Sequence, residues 1–485
     1  MQEKCLKLID IVTSFLFGLK SKINQVCSVK FIPKHRTMLS SLFVAILLII
    51  SILLIILLSS KFKFNTFYVL FIVAILVGLT AQFSGEEVIK NLKLGFGHTL
   101  EKIGLLIILG TTLGVILDKT NATISIANYI LEKTGEKYAG VAITLIGFII
   151  GLPIFCDSGF IVLSGLLYSL GKKVKDSHIF FTVCLAGSLY SVHCLVPPHP
   201  GITAAAGLMN VELGQTMLLG IFLAIPGTII AYFWGKYSGK KYQHLHSETI
   251  DLHEDMPNLS TLKLPKPLLS FLPIFVPIAL ISLKSIILLN PRIFPEMILN
   301  LIKFVGDPIV ALFIGILIAI TLFEKIEKVK LNHLLESAIE KAGPILAIIA
   351  IGGAFGEIIK MLDLGKVFGA TITQYHVGLF IPFILTVIFK TAQGSSTVAI
   401  ISSASIIFPL LPSLGLDSEW GRQITLMAMG AGSMMVSHAN DAYFWVVSRF
   451  GNLSTDLALK SYTTMTVLMG LITFLMVCLV HFVHG

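Results

Sequence analysis

Residues 194–207 read CLVPPHPGITAAAG and lie between two long apolar runs. Pro197, Pro198 and Pro200 flank His199, so no regular helix passes through. The small residues Gly201, Ala204, Ala205, Ala206 and Gly207 follow. In lipid, irregular backbone survives only where protein buries it or where it lines a watery cavity. This stretch therefore marks a site, and the apolar runs around it decide the fold.

The chain has 485 residues, 55% hydrophobic and 13% charged, where a soluble domain carries about 25% charge. Runs near the ~20 residues needed to cross a bilayer recur from Met38 to Val483. The fold class expected is an all-α polytopic membrane protein with about 11–14 membrane segments. The net charge of +9 sits mostly between apolar runs, as cytoplasmic loops require, and is no nucleic-acid signature. The six cysteines have no metal or redox spacing and read as small buried hydrophobes. No phosphate loop, nucleotide motif or metal-binding spacing occurs, and no cofactor is expected.

Residues 1–37 form a basic extension, expected to be cytoplasmic, and 38–234 form a first transmembrane half. A polar stretch, 235–267, reads as a cytoplasmic linker, and 268–485 as a second half. Full spans are expected at 38–60, 64–81, 101–117, 178–196, 213–234, 268–289, 305–323, 341–360, 376–390, 422–437 and 461–483. Residues 82–100 read as a short surface helix. The run 138–170 would be roughly 50 Å as one helix, too long for a single crossing. GLPIFCDSGF at 151–160 breaks it, by a bent helix or a re-entrant hairpin.

The halves echo each other. EKIGLLIILGTTLGVIL (101–117) matches EKAGPILAIIAIGGAFGEII (340–359) with a small insertion, and AGSLYSVH (186–193) matches AGSMMVSH (431–438). Broken, polar segments fall between these anchors: CDSGF at 156–160 and AQGSST at 392–397. Paired interruptions in two halves point to a transporter's midplane site.

Asp157 is an acid amid apolar residues, a proton carrier or substrate contact if not simply a helix cap. Ser158 and the free N–H groups beside it suit an anion. His199 and His193 suit proton relay, or hydrogen bonds to loop carbonyls. Thr203 stands just past the break. Gln393, Gly394, Ser395, Ser396 and Thr397 combine exposed N–H groups with hydroxyls, a set for carboxylate and polyol recognition or for close helix packing. Lys390 before them is expected to reach toward the interface. Ser437, His438, Asn440 and Asp441 cluster at a span's end, with Asp441 the second proton-carrier candidate. Glu357 and Asp307 are weaker candidates near span ends.

At GFGHTLEKIGLLIILGTTLG (95–114), GLPIFCDSGFIVL (151–163), LVPPHPGITAAAG (195–207), TAQGSSTVAI (391–400) and GAGSMMVSHANDAYFWVV (430–447), the sequence resembles the gluconate permease family. The resemblance spans about residues 40–483. It implies a proton symporter of the bacterial inner membrane for gluconate, related sugar acids or D-serine, with inverted repeats and re-entrant hairpins. Many relatives carry two aromatics before the acidic position, where this chain has Phe155-Cys156, and Ser158 follows the acid; this leaves the substrate open.

The resulting expectation is proton-coupled uptake of a small hydroxylated carboxylate. Substrate would meet Ser158, His199, Thr203, Gln393, Gly394, Ser395, Ser396, Thr397, His438 and Asn440, with Asp157 or Asp441 carrying the proton. The alternatives are a sodium-coupled carboxylate carrier, an amino-acid permease, a passive channel and an intramembrane enzyme. Partners expected are an organic anion, a coupling proton or sodium ion, and the lipid bilayer, with homodimer formation open.

Overall fold

The computed structural model describes residues 41–58, 62, 64–173, 178–242, 263–288, 294–323, 328–362 and 378–484. The basic extension 1–37 and residues 243–262 of the expected linker lie outside the described residues.

The described residues form helices and no strand. In chain order they are α1 (Ser41–Ile56), α2 (Thr66–Thr80), α3 (Gly85–Lys119), α4 (Ala122–Thr134), α5 (Ala139–Gly151) and α6 (Cys156–Lys173). Then come α7 (His178–Leu195), α8 (Pro200–Met209), α9 (Leu213–Tyr242), α10 (Pro267–Leu288), α11 (Glu296–Val305) and α12 (Pro308–Ile320). Then follow α13 (Lys328–Lys360), α14 (Phe380–Gln393), α15 (Ser396–Ile407), α16 (Glu419–Ser433), α17 (Ala442–Phe450) and α18 (Thr464–His484), with short helical turns at 136–138, 408–414 and 455–463 between the helices.

Among the described residues, seven helical segments are long and apolar enough to cross a membrane, or eight if the pair α11–α12, bent by 64°, counts as one. That is fewer than the eleven full spans expected, because several expected spans are shorter helices. The runs expected at 64–81, 376–390 and 422–437 form α2, α14 and α16, of 15, 14 and 15 residues. The expected surface helix 82–100 and span 101–117 are instead one helix of 35 residues, α3. Its start is fixed by a capping box between Ser84 and Glu87. Beyond it no proline stops the run until the chain turns at Thr120. The expected span 341–360 likewise extends back to Lys328 as α13, and residues 235–242 continue α9.

The two long helices α3 and α13 pack directly on each other. A Cβ on Gly353 would come within 1.8 Å of Thr99 Oγ1, and one on Gly95 within 2.5 Å of the Gly353 carbonyl oxygen. Only glycine permits this approach, the small-residue packing that holds helices together in lipid. α9 shows the two faces such a helix needs. Gly220, Ala224, Gly227 and Ala231 are buried, while Phe222, Ile225, Ile229 and Phe233 face outward at helical spacing.

α7 is buried almost all round, from Ile179 to Leu195 with His193 half-buried. A helix enclosed on every side is central. It is fixed to α9 by the Ser191 hydroxyl, which donates to the Ala224 carbonyl at 2.8 Å, and it places Tyr190 and His193 in the middle of the molecule.

Candidate functional site

Four helices begin at interruptions inside this bundle. α5 ends at Gly151, the turn Leu152–Phe155 follows, and α6 starts at Cys156. α7 ends at Leu195; a bend with a cis Pro197–Pro198 bond precedes α8, whose N-cap is His199. α14 ends at Gln393, Gly394 turns at φ +82°, and Ser395 caps α15 by accepting from Val398 N–H at 3.3 Å. α16 ends at Ser433, and Asp441 caps α17 by accepting from Tyr443 N–H at 3.0 Å.

The four breaks touch. His199 Nε2 lies 2.6 Å from the Gly151 carbonyl oxygen, tying the second break to the first. A carbonyl only accepts, so this nitrogen carries the proton. Phe155 packs on His193 and His199, whose rings are 4.7 Å apart. A Cβ on Gly201 would come 2.9 Å from Thr397 Cα, so the first turns of α8 and α15 abut. The third and fourth breaks interlock. Asn440 Nδ2 donates to the Thr391 and Ala392 carbonyls at 2.7 and 3.2 Å, and His438 Nε2 to Thr391 at 3.1 Å. Tyr443 closes the ring: it packs on Phe160 of α6 and Tyr190 of α7, and its hydroxyl donates to the Ala186 carbonyl at 3.1 Å.

At the centre is a buried ion pair. Lys390 is fully enclosed, and its Nζ lies 2.5 Å from Asp441 Oδ2. The ammonium also donates to the Gly394 carbonyl and lies over the Tyr190 ring, 5.6 Å from its centroid. Asp441 accepts a further bond from the Ser437 hydroxyl. The expectation that Lys390 extends to the membrane interface is therefore corrected. The stem is held at the last turn of α14, and a carboxylate and a carbonyl meet the charge inside the protein. This is the residue whose role sequence reading missed. Its position next to a glycine break, opposite an aspartate fifty-one residues on, was the available signal.

Asp157 stands at the first turn of α6, close enough to feel the charges of Asp441 and Lys390. Its carboxylate accepts from the Cys156 thiol, whose sulfur lies 3.9 Å from Oδ1. Lys390, Asp441 and Asp157 in their charged forms leave one negative charge in excess.

The other expected residues divide. Ser158 lines a small cleft with Thr111, Gly114, Phe155, Asp118 and Lys341. Gln393, half-buried, has no protein partner for either amide atom. Ser396 contacts the Cys194 thiol of α7. Thr203 is buried with its hydroxyl unpartnered, and it borders a separate apolar cleft with Pro197, Pro198, Leu152 and Pro153. His199 is enclosed and spends one ring nitrogen on Gly151. Of the weaker candidates, Glu357 pairs with Lys360 at 3.2 Å, and Asp307 caps α12. Among the described residues, no three His, Cys, Asp or Glu side chains gather as a metal site.

Interrupted helices whose breaks adjoin one another beside a buried ion pair, inside a lipid-facing bundle, define a membrane carrier. The chain belongs to the GntP permease family, which it matches over residues 43–483. It is 31% identical over 438 residues to the inner membrane permease YgbN of Escherichia coli K12, covering 87% of this chain and 95% of that one. It is 29% identical to a gluconate permease of Pseudomonas aeruginosa, over 90% of this chain and 97% of the relative. Among solved structures, the YdaH transporter of Alcanivorax borkumensis superposes with a TM-score of 0.55 at 12% identity, over 80% of this chain and 86% of that one. That last likeness is one of fold. The protein is thus a multi-pass permease of the bacterial inner membrane, and the intramembrane-enzyme alternative falls away.

Proposed function

We propose that the protein takes up gluconate or a related small hydroxylated carboxylate together with a proton, at the place where the four broken helices meet. The observation that carries this reading is that the breaks before α15 and α17 meet at Lys390, with α6 beginning at Asp157 beside them and α8 abutting α15 at Gly201. Each N-terminus has backbone N–H groups without helical acceptors and the positive end of a peptide dipole. Together with a buried ammonium they favour a carboxylate. The unpartnered Gln393 amide, with Ser158 and Asn440 on neighbouring breaks, supplies donors and acceptors for hydroxyl groups. The relative named as a gluconate permease supports the sugar-acid choice.

The coupling proton sits on Asp157 or Asp441. Both are acids inside an apolar bundle, and ionisable groups there mark ion pathways. The interruptions fall two in each half of the sequence, and the packing repeats: α15 lies on α8 as α6 lies on α17. This supports two related halves working around one site, the arrangement that lets access alternate.

The test is uptake of labelled gluconate by purified protein in proteoliposomes. Accumulation driven by an inward proton gradient and abolished by a protonophore is expected. Accumulation that follows a sodium gradient at fixed pH would overturn the proton coupling. Failure of excess gluconate to compete, where D-serine does, would overturn the substrate assignment.

A further inference from the structure

The buried ion pair poses a question that the transport reading leaves open. A cation suited to the substrate is already held by the protein's own carboxylate. Lys390 has three N–H donors; Asp441 and the Gly394 carbonyl take two, and the ammonium lies over Tyr190. Among the described residues, Lys390 is the cation that meets Asp441 and the one whose charge reaches Asp157. Titratable groups from several elements surround this pair. α6 brings Cys156 and Asp157, α7 brings Tyr190, His193 and Cys194, and the bend before α8 brings His199. Tyr443 comes from α17, Tyr462 from the turn before α18, and His438 from the loop that carries Asp441.

We infer that Lys390 is a shared cation: the substrate carboxylate displaces Asp441 from it, and the released Asp441 takes up the coupling proton. This rests on the proton-coupled reading above and gives that site its coupling device. Before binding, one ammonium faces two carboxylates. An arriving anion would make three, and a buried carboxylate without a cation is strongly disfavoured. One proton on Asp441 restores the original excess of a single negative charge, so anion and proton enter together. The proton comes from the solution on the loading side and forms an O–H bond on Asp441. It leaves to the other side when the substrate departs and Lys390 recovers its partner. Asp441 can change state in place, because Ser437 and the Tyr443 N–H keep hold of it when Lys390 lets go. Gly394 tightens the link. Its carbonyl holds the ammonium, and its α-carbon leaves no room for a side chain against Asn440.

The experiment uses the full chain in proteoliposomes with labelled gluconate and two readouts. One is exchange against internal unlabelled gluconate, without a gradient. The other is accumulation under an inward proton gradient. Asp441→Asn is expected to exchange, with an altered KM, while its accumulation falls to equal concentrations inside and out. Lys390→Gln is expected to lose exchange by about a hundredfold in kcat/KM, as truncation of a buried charge partner does. The double variant Lys390→Gln/Asp441→Asn controls for folding. It should recover thermal stability relative to Lys390→Gln and still fail to exchange. Accumulation by Asp441→Asn at the wild-type level, or wild-type exchange by the double variant, overturns the shared-cation assignment alone. Wild-type accumulation that ignores the proton gradient overturns the preceding reading and this one with it.

Discussion

Replacing Gly394 by alanine attacks the joint between the two breaks of the second half. The residue sits at φ +82°, and a Cβ there would lie 2.2 Å from the Asn440 carbonyl oxygen and 3.0 Å from the Asp441 nitrogen. Both are backbone atoms, so no side-chain rotation relieves the clash. The left-handed conformation alone costs an L-residue about 1–2 kcal/mol. The 438–441 loop must also back away from 391–394, which strains three hydrogen bonds: Asn440 to Thr391 and Ala392, and His438 to Thr391. At about 0.5–1.5 kcal/mol each, loss of one or two adds about 0.5–3 kcal/mol. The total is about 1.5–5 kcal/mol, and the same movement pulls Asp441 from Lys390. Gly97→Ala is the matched control. That glycine lies inside α3 with nothing within 4 Å of a new Cβ, so alanine should be neutral or stabilising by about 0.5–1 kcal/mol. Thermal unfolding of purified protein in detergent and uptake in proteoliposomes read both effects. Gly394→Ala melting with the wild type and transporting with wild-type KM and rate would refute the account of this joint.

Lys390→Met should destabilise the fold by about 3–5 kcal/mol, because it strands a buried carboxylate, and adding Asp441→Asn should return most of the loss; thermal denaturation of the single and double variants decides. Gly201→Val forces side-chain atoms against Thr397 Cα, 2.9 Å from the position of its Cβ, and should cost about 1–3 kcal/mol by overpacking while sharply reducing uptake; unaltered transport would show that α8 and α15 need not touch. Lys341→Gln removes a positive charge from the cleft that reaches Ser158, and KM for an anionic substrate should rise roughly two- to fivefold, the effect of about 0.5–1 kcal/mol at a solvated site. That rise should shrink at high salt; a KM independent of both the substitution and the salt argues that the anion arrives by another route.

The legible part of the fold was what lipid imposes on sequence. Apolar runs identified the membrane class, and prolines and glycines grouped with polar residues at 151–159, 197–200 and 392–397 marked the breaks. Helix lengths were harder to read. Charged residues within 82–100 (Glu86, Glu87, Lys90, Lys93 and His98) suggested a separate surface helix, yet α3 runs unbroken through them. Lys, Glu and His are compatible with helix, and burial of the Gly95 face against α13 outweighs their polarity. Nothing in a local window reveals a partner helix more than two hundred residues away.

The same limit explains the site. Asp157 and Asp441 were recognisable singly, since an acid in an apolar run is costly wherever it points. Lys390 was not, because a lysine near a span end has two outcomes that look alike in sequence. Its four-carbon stem can carry the charge out to water, or it can stay inside if a counter-ion is brought to it. The choice is made by the loop 434–441, which returns Asp441 to the end of α14 and anchors it through Asn440 on the Thr391 and Ala392 carbonyls. Those bonds go to backbone, so the side chains of residues 391 and 392 give no hint of them. The charge balance of the site depends on this one tertiary choice. On the reading proposed above, a Lys390 held outside would leave two acids to face a substrate anion without a cation, whereas a Lys390 held inside lets the same acids bind an anion and a proton as a pair.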